Sequence, residues 1–241
     1  MTKSRVIVEF PDRAEYAVRI GGGVASQLGA NLRAAGVAAS RCLVVCDAEA
    51  STRCLPVLKE TLSAADFRVT DISVPPVDPA DAWSCMGELL GALAQMNLAE
   101  DAPIIVCAGV ELSELASLAF SLDGSERPLV LVPASLAAAM RVVGVGEFEA
   151  DAGFEAPLHA KAAPSFASVD PVLLACESGE EADAGLYELE QAAGYCDAQF
   201  GAWLAGALGD IAAYDEDALV LALTQVFAAR ADAIGRQILH Q

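Results

Sequence analysis

The sequence is poor in basic residues. It has 14 lysines and arginines against 34 aspartates and glutamates, so its formal net charge is −20 at pH 7. Only three lysines and two histidines are present, at Lys3, Lys59, Lys161, His159 and His240. A field of this sign repels nucleic acids and anionic membrane surfaces, so we expect neither as a partner. The same acidity is also typical of a surface selected for solubility or of a salt-adapted cytosol.

Three further features are missing. No CxxC pair occurs among the seven cysteines, most of which lie in apolar runs where a thiol behaves as a small hydrophobic group. No run of about 18 uninterrupted apolar residues is present. The start, MTKSRVIVEF, passes directly into an alternating strand pattern and lacks the apolar core of a signal peptide. We therefore expect reduced thiols, no membrane span and a cytoplasmic protein.

Glycine is scarce in one segment where it would matter. In PIIVCAGVELSELASLAF, residues 103–120, a buried-type run leads into Gly109 and then into helical spacing. Strand, tight turn and helix aim backbone N–H groups at a diphosphate, but such turns usually carry two or three glycines. Here Glu111 and Glu114 would face the anion, and any left-handed position would cost alanine or valine about 1 kcal/mol or more. The segment is either a cofactor turn or a turn that only the fold requires.

Apolar residues make up 55% of the chain, which is ample for a core. Alternation over 4–10 and 15–23 predicts an antiparallel pair of strands. Strands at 42–46, 68–75, 102–109 and 127–133 then alternate with segments of helical spacing. This order predicts an α/β fold with a Rossmann-like N-terminal domain and a parallel sheet.

The pattern changes towards the C-terminus, where it is helical throughout from about residue 177. We predict a Rossmann-like α/β domain over 1–175 and a short all-α domain over 176–241. Residues 144–168 are weakly patterned and could form a long hairpin or a flap.

The order of segments, taken with particular residues, resembles the 3-dehydroquinate synthase family of sugar-phosphate cyclases. The likeness runs from Tyr16 almost to the C-terminus through the motifs YAVRIGGGVASQLG, LVVCDAEAS, LPVL, SVPPVD, VPASLAAAM, SVDPVLL and ADAGLYELEQAAGYCDAQFGAWL. It implies a Rossmann-like domain followed by a helical domain that is truncated here. It also implies NAD as a cofactor, zinc or cobalt as the metal, and a lyase reaction in the shikimate pathway of aromatic amino acid biosynthesis.

The resemblance assigns five positions to cofactor binding: Asp47, Asp78, Gly109, Glu114 and Ser135. Asp47 takes the place of the acidic residue near the adenosine ribose. An aspartate that ends a strand or caps a helix fits the same position equally well.

Several charged positions differ from the family pattern. Asp81 and Glu147 stand where the resemblance implies lysines, Gln191 replaces another lysine, and Arg141 replaces an aspartate. Such substitutions remove the cations that would hold a phosphate and a carboxylate.

The metal site is also incomplete by resemblance. Glu188 stands where the family has its metal-binding glutamate, although we favour an ordinary helical glutamate. Zinc or cobalt needs two neutral imidazoles beside it, and the sequence ends before the family's histidines, while neither His159 nor His240 lies in the right context.

We therefore expect no catalytic residues and a degenerate, non-catalytic member of the family that acts by binding. The resemblance implies a homodimer, or a heterodimer with a cyclase-type chain. Two alternatives remain. One is an active 3-dehydroquinate synthase completed by a second chain, and the other is a related metal-dependent dehydrogenase.

Overall fold

The computed structural model describes residues 2–10, 13–123, 125–145, 147–151, 156–161, 163–175 and 179–238. Its strands are β1 Lys3–Val8, β2 Tyr16–Gly21, β3 Arg41–Asp47, β4 Arg68–Val74, β5 Ile104–Cys107, β6 Leu129–Leu131, β7 Phe148–Ala150, β8 Leu158–Ala160 and β9 Phe166–Val169. Its α-helices are α1 Leu28–Ala34, α2 Ala48–Arg53, α3 Leu55–Ala64, α4 Ala82–Met96, α5 Val110–Leu122, α6 Leu136–Val142, α7 Pro171–Leu174, α8 Gly179–Ala192, α9 Ala198–Ala212 and α10 Glu216–Ile238.

Seven of the strands form one sheet in the order β1-β2-β9-β6-β5-β3-β4. Only β1 runs antiparallel to its neighbour, with Lys3 opposite Gly21 and Val8 opposite Tyr16. The other pairs in this sheet are parallel. The predicted α/β fold with a parallel sheet is confirmed, and so is the antiparallel pair at its start.

The sheet is covered on both faces, as a parallel sheet requires. Along β5, Ile104 and Val106 belong to one buried cluster while Ile105 and Cys107 belong to the other, because successive side chains of a strand point to opposite faces. Helices α1 and α3 cover the face with Cys107, and α4, α5 and α6 cover the face with Ile104.

Strand β9 and the short helices α2 and α7 were not predicted from the pattern. Strand β9 pairs with both β2 and β6, yet its first three residues lie in the segment 144–168 that we treated as a weakly patterned loop. Four residues are too few for a period to show. Helix α2, six residues long, was missed for the same reason. The hairpin proposed in that loop is present as the antiparallel pair β7 and β8.

The helical segment from α8 to α10 packs directly on the α/β layers. Helix α8 lies against α6, α9 lies against α8, and α10 crosses β1 and β2. Leu189, Leu204 and Phe227 are buried in the same cluster as the sheet residues on that face. The domain boundary at 176 stays a prediction, and residues 176–178 lie outside the described residues.

Helix α10 is long and apolar enough, by length and composition, to cross a membrane over Glu216–Gly235, where the mean hydropathy is 1.4. No other helix within the described ranges meets that test. Leu219, Leu223, Val226 and Phe227 of this helix are buried to within 1% of full burial in the shared core. Packing in the core accounts for the apolar residues on this face of the helix, and 33% of the apolar window is buried.

A half-buried arginine, Arg230, joins α10 to the end of α6. The Arg230 guanidinium donates through one nitrogen to the carbonyl oxygens of Met140, at 2.6 Å, and Val143, at 3.1 Å. These are carbonyls of the last turn of α6, which lack partners within the helix. The Tyr16 hydroxyl accepts from the Gly144 N–H at 2.8 Å, so the same turn is also held from β2. Burial lowers the pKa of Arg230 and raises that of Tyr16.

We predict that Arg230→Met lowers the free energy of unfolding by about 2 kcal/mol, because it leaves two buried carbonyl oxygens without donors. Urea denaturation followed by far-UV circular dichroism measures this change. The matched control is Arg53→Met, because Arg53 forms only an exposed ion pair with Glu49, worth about 0.5 kcal/mol. Equal effects of the two variants would contradict a structural role for the Arg230 contacts.

Candidate functional site

The topology of the sheet creates a crevice at the carboxyl ends of β3 and β5, because the connections that follow these two strands run to opposite faces. These strands are neighbours, but β3 leads into α2 and α3 on one face of the sheet, whereas β5 leads into α5 on the other. Ligands of open α/β sheets bind at such a point, because the two connections diverge and leave a gap. Asp47 ends β3 and Gly109 follows β5, so the fold brings together two of the predicted cofactor residues.

The Asp47 carboxylate is fully engaged by the backbone on both sides of this crevice. Its Oδ1 accepts from the Ala50 N–H at 2.7 Å and so caps α2. Its Oδ2 accepts from the Gly109 N–H at 2.7 Å, across 62 residues of sequence. The Gly109 N–H is the first donor of the β5 turn and points towards the position where a bound anion would lie. In this structure the acceptor is a side chain of the protein itself.

A second carboxylate, that of Glu181, lies close to Gly109 in this turn. A Cβ placed on Gly109 would lie 2.8 Å from Glu181 Oε1 of α8 and 3.6 Å from Asp47 Oδ2. A small cavity at this point is lined by Asp47, Glu49, Ala50, Arg53, Cys54, Gly109, Ala134 and Glu181. Its one basic residue, Arg53, is paired with Glu49 at 3.2 Å. The cavity therefore has a net negative lining, which is unfavourable to a dinucleotide phosphate.

The turn after β5 does not need the glycines it lacks. Gly109 has φ −67° and ψ −169°, which any residue can adopt. Among the described residues, no position from 108 to 114 has a positive φ. The expected conformational cost of alanine and valine at this turn is therefore absent, and a Cβ at Gly109 would require only that the end of the Glu181 side chain move away.

Carboxylates also occupy the glycine-rich turn after β2. Asp170, which is 2% exposed, accepts from the Gly23 N–H at 3.1 Å and the Ala25 N–H at 3.0 Å. Glu216, in the first turn of α10, accepts from the Gly22 N–H at 3.3 Å. This turn thus resembles the β5 turn, because its donors bind acidic side chains of the same chain.

Sequence reasoning did not assign Asp170, Glu181 or Glu216 to this region. A signal was available for Asp170, since an aspartate directly before Pro171 is typical of a helix start, and its side chain caps α7 by accepting from Val172 N–H at 3.1 Å. No local pattern could have paired Glu216 with Gly22, because 194 residues separate them.

A second cluster of charged residues joins α5, α6 and α8. The Arg141 Nε donates to Glu114 Oε1 at 2.6 Å, and a terminal guanidinium nitrogen lies 3.6 Å from Glu188 Oε1. Glu114, Arg141 and Glu188 come from α5, α6 and α8 respectively. Glu188, the predicted metal ligand, thus forms an ion pair with an arginine of the same chain.

The ion pair between Arg141 and Glu188 depends on the close approach of α6 and α8. A Cβ on Gly185 would lie 2.7 Å from Leu136 Cβ and 2.8 Å from the Ala137 backbone nitrogen, so α8 rests directly on the start of α6. Glu188 follows Gly185 by three residues and Arg141 follows Ala137 by four, which are the spacings that keep residues on one helix face. The side chains of Glu188 and Arg141 therefore meet further along the contact between α8 and α6.

The remaining predicted residues have local roles. Ser135 is 1% exposed and caps α6 by accepting from the Ala138 N–H at 3.0 Å. Asp78 is exposed and accepts from the Ala80 N–H at 2.9 Å in a short turn before α4. Neither side chain lines the cavity at Asp47 and Gly109.

The residues do not fit the metal that the resemblance implies. In the part of the chain that the structure describes, no group of three or more histidine, cysteine, aspartate or glutamate side chains could hold an ion. His159 Nδ1 lies 3.1 Å from Glu147 Oε1 and 3.6 Å from Glu149 Oε2, on the β7–β8 hairpin. His240 lies outside the described residues. Glu188 is already paired with Arg141, so we derive no reaction step through a metal.

Comparison with solved structures identifies the fold. A 2-epi-5-epi-valiolone synthase from Streptomyces hygroscopicus subsp. jinggangensis, solved with NAD+ and Zn2+ bound, matches 97% of this chain with a TM-score of 0.78 and 20% identity. A 2-deoxy-scyllo-inosose synthase solved with carbaglucose-6-phosphate, NAD+ and Co2+ matches 99% with a TM-score of 0.79 and 13% identity. An iron-containing alcohol dehydrogenase from Thermococcus thioreducens matches 91% with a TM-score of 0.68 and 16% identity.

The chain spans about 65% of the length of the two synthases and 66% of the dehydrogenase. The predicted likeness to sugar-phosphate cyclases is thus confirmed in the fold, which iron-containing alcohol dehydrogenases share. No protein-family model matches the sequence, and no curated protein matches it.

We predict that Asp47→Ala lowers the free energy of unfolding by about 2 kcal/mol, because α2 loses its cap and the Gly109 N–H loses its acceptor. Asp78→Ala is the matched control, since it removes an exposed aspartate that accepts a single local bond. Chemical denaturation of both variants measures the difference. An Asp47 variant as stable as the Asp78 variant would show that the contact across the crevice contributes nothing.

Glu114 should make stability depend on pH. Burial raises its pKa, against the opposing effect of the hydrogen bond from Arg141, with Glu149 and Glu111 adding to the rise. A raised pKa in the folded state gives a contribution that is complete below the unfolded value of about 4.3 and is lost as pH rises through the folded value. We therefore predict that wild type loses stability relative to Glu114→Gln as pH increases from about 4 to 7.

Urea denaturation of both proteins across this pH range measures the difference in stability. Glu60→Gln removes an equal charge from an exposed position of α3 and controls for the change in total charge. If the free energy of unfolding of wild type instead rose relative to that of Glu114→Gln with increasing pH, the predicted cost of burying the Glu114 carboxylate would be wrong.

Proposed function

We propose that this chain is a dehydroquinate synthase-like protein that does not perform the NAD- and metal-dependent cyclisation and that acts by binding, as a partner subunit. One observation carries the proposal. The groups of the crevice that would engage a cofactor and a metal are engaged by the chain itself, Gly109 N–H by Asp47 and Glu188 by Arg141.

The electrostatics of the crevice support the loss of NAD binding. A diphosphate at the β5 turn would have to displace the Asp47 carboxylate from the Gly109 N–H and then lie beside Asp47 and Glu181. Like charges within about 4 Å repel by about 4 kcal/mol at the effective dielectric constant of a protein surface. The diphosphate would gain one hydrogen bond from the Gly109 N–H, and the free energy of one hydrogen bond is too small to offset that repulsion.

The lack of basic residues in the lining of a second cavity also supports the loss of the cyclisation reaction. This second cavity is lined by acids and by no basic residue, namely by Val77, Ala82, Glu111, Glu114, Leu115, Ala150 and Asp151. Cyclisation of a phosphorylated sugar acid needs cations for the phosphate and the carboxylate. Losing a single group that stabilises charge in a transition state commonly costs about 10²-fold or more in rate.

Exposed aromatic groups on the helical segment support a protein partner. Tyr187 is 60% exposed, Tyr195 is 66% exposed, and Leu221 on α10 is 43% exposed. Tyrosine is enriched at protein interfaces because it presents a rigid apolar ring with one polar group. The partner we propose is a second copy of this chain or a cyclase-type chain.

The second candidate is an active enzyme completed by another chain. It is supported by the likeness in fold to two synthases that were solved with NAD+ and a divalent metal. A separate polypeptide could supply the histidines and bases, either for a 3-dehydroquinate synthase or for a metal-dependent dehydrogenase.

We predict no NAD binding by the isolated protein, with a dissociation constant weaker than about 1 mM in calorimetric titration. The double variant Asp47→Asn, Glu181→Gln keeps the shape of the crevice and removes both charges. A gain in NAD affinity by this variant would identify charge as the obstacle. Micromolar binding by wild type would overturn the proposal.

Phosphate release distinguishes the two candidate functions. The protein is mixed with the cyclase substrate, NAD and zinc or cobalt, first alone and then with a cyclase-type chain. We expect no release from the protein alone, and unchanged activity per cyclase active site in the mixture. Release that needs both chains supports the completed enzyme, and release by this chain alone refutes the non-catalytic proposal.

A further inference from the structure

Three cysteines from different parts of the chain meet at the base of the crevice. Cys46 and Cys107 are opposite each other on the neighbouring parallel strands β3 and β5. Cys46 directly precedes Asp47, and Cys107 lies two residues before Gly109. Cys54, at the junction of α2 and α3, belongs to the same buried cluster as these two cysteines, on the face of the sheet that α1 and α3 cover. The fold thus gathers thiols that are far apart in the sequence.

Two of these three thiols interact with each other. The Cys107 S–H donates a hydrogen bond to the Cys54 sulfur, which lowers the pKa of the Cys54 thiol and raises that of Cys107. The Cys46 thiol has a different partner, because it donates to the Ile72 carbonyl oxygen at 3.6 Å. Cys54 and Cys107 are therefore the pair whose sulfur atoms can react with each other.

Cys54 and Cys107 differ in their access to small molecules. Cys54 is one of the residues that line the small cavity at Asp47 and Gly109, whereas Cys107 is fully buried beneath it. This cavity has room for a molecule of about the size of water, and hydrogen peroxide is only slightly larger. A small oxidant in the cavity therefore reaches the sulfur of Cys54 before that of Cys107.

The other described cysteines are less reactive thiols. Burial raises the pKa of Cys42 to about 12 and that of Cys46 to about 11, and it also raises the pKa of Cys85 and of Cys196. The thiolate is the form of cysteine that attacks an oxidant, so a raised pKa slows the reaction at neutral pH. Among the cysteines that the structure describes, Cys54 alone has a lowered pKa.

We propose that Cys54 and Cys107 form a redox site, in which hydrogen peroxide converts the two thiols into a disulfide and a thiol reductant restores them. The Cys54 thiolate attacks one peroxide oxygen and the O–O bond breaks, which gives a sulfenic acid and a hydroxide ion. The hydroxide takes up the proton that Cys54 released and becomes water.

The disulfide forms in a second step. The Cys107 sulfur attacks the sulfur of the Cys54 sulfenic acid, the S–O bond breaks, and the hydroxyl leaves as water with the proton of Cys107. The two thiols lose two electrons, and one peroxide is reduced to two waters. The new bond links the junction of α2 and α3 to the end of β5, which are the same two sides of the crevice that Asp47 joins through Ala50 and Gly109.

The test exposes the folded, reduced protein to a modest molar excess of hydrogen peroxide at pH 7. Catalase then removes the peroxide, and N-ethylmaleimide blocks the remaining thiols in denaturant. The intact mass gives the number of blocked thiols, and peptide mapping without reduction identifies the bond. We expect two of the seven thiols to escape blocking, the bond to join the peptides of Cys54 and Cys107, and dithiothreitol to restore all seven.

Three variants assign the two steps to the two cysteines. Cys54→Ala should form no disulfide and should consume peroxide at least about tenfold more slowly, because it lacks the reactive thiolate. Cys107→Ala keeps that thiolate and should accumulate the sulfenic acid, which dimedone labels at Cys54. Cys85→Ala is the control, since it removes a half-buried cysteine that packs on the other face of the sheet, and it should form the bond as wild type does.

Peptide mapping of wild type decides the question even if a variant does not fold. Seven thiols that all remain free, a disulfide between other cysteines, or oxidation of Cys54 that stops at a sulfinic acid would each overturn the inference. None of these results bears on the proposed function, because the redox site needs neither NAD, a metal nor a partner, and the proposed function is tested separately by NAD titration and phosphate release.

Discussion

Backbone N–H groups at the carboxyl ends of parallel strands need acceptors, and in this protein the acceptors are its own carboxylates. Asp47 binds the Gly109 N–H, and Asp170 binds those of Gly23 and Ala25. Donors of this kind form the usual anion site of a doubly wound sheet, and a buried donor without an acceptor is costly. At these three N–H groups a negatively charged ligand would have to displace an internal acceptor.

The helical segment contributes directly to this edge. Glu181 and Glu188 of α8 lie at the crevice and the arginine cluster, and Glu216 of α10 binds the Gly22 N–H. Arg230 returns from α10 to bind the end of α6. The contacts of Glu188, Glu216 and Arg230 link the segment to the α/β layers by an ion pair and charged hydrogen bonds, and charged hydrogen bonds are stronger than those between neutral groups. The segment thus helps to determine which groups of the crevice are available.

The fold was largely predictable because burial and period are local properties of a sequence. Strand β5 is an uninterrupted apolar run, and α4 and α5 repeat their apolar residues with helical spacing, so their types and order followed directly. Strand β9 was not predicted because four residues are too few to show a period. Its place between β2 and β6 also depends on pairing with strands far away in the chain. Helix α2 was too short to be recognised for the same reason.

The sequence by itself determined the α/β architecture, the excess of acids, and the loss of glycines and cations from the positions that resemble a cofactor site. Only the tertiary structure decided what the charged residues do. Asp47 was left between ribose contact and helix cap, and the structure shows it capping α2 and binding Gly109. Arg141 was a substitution without a role until its ion pairs with Glu114 and Glu188 became visible. Partners in such pairs lie tens to hundreds of residues apart, and a side chain's charge does not encode which opposite charge the fold will bring to it.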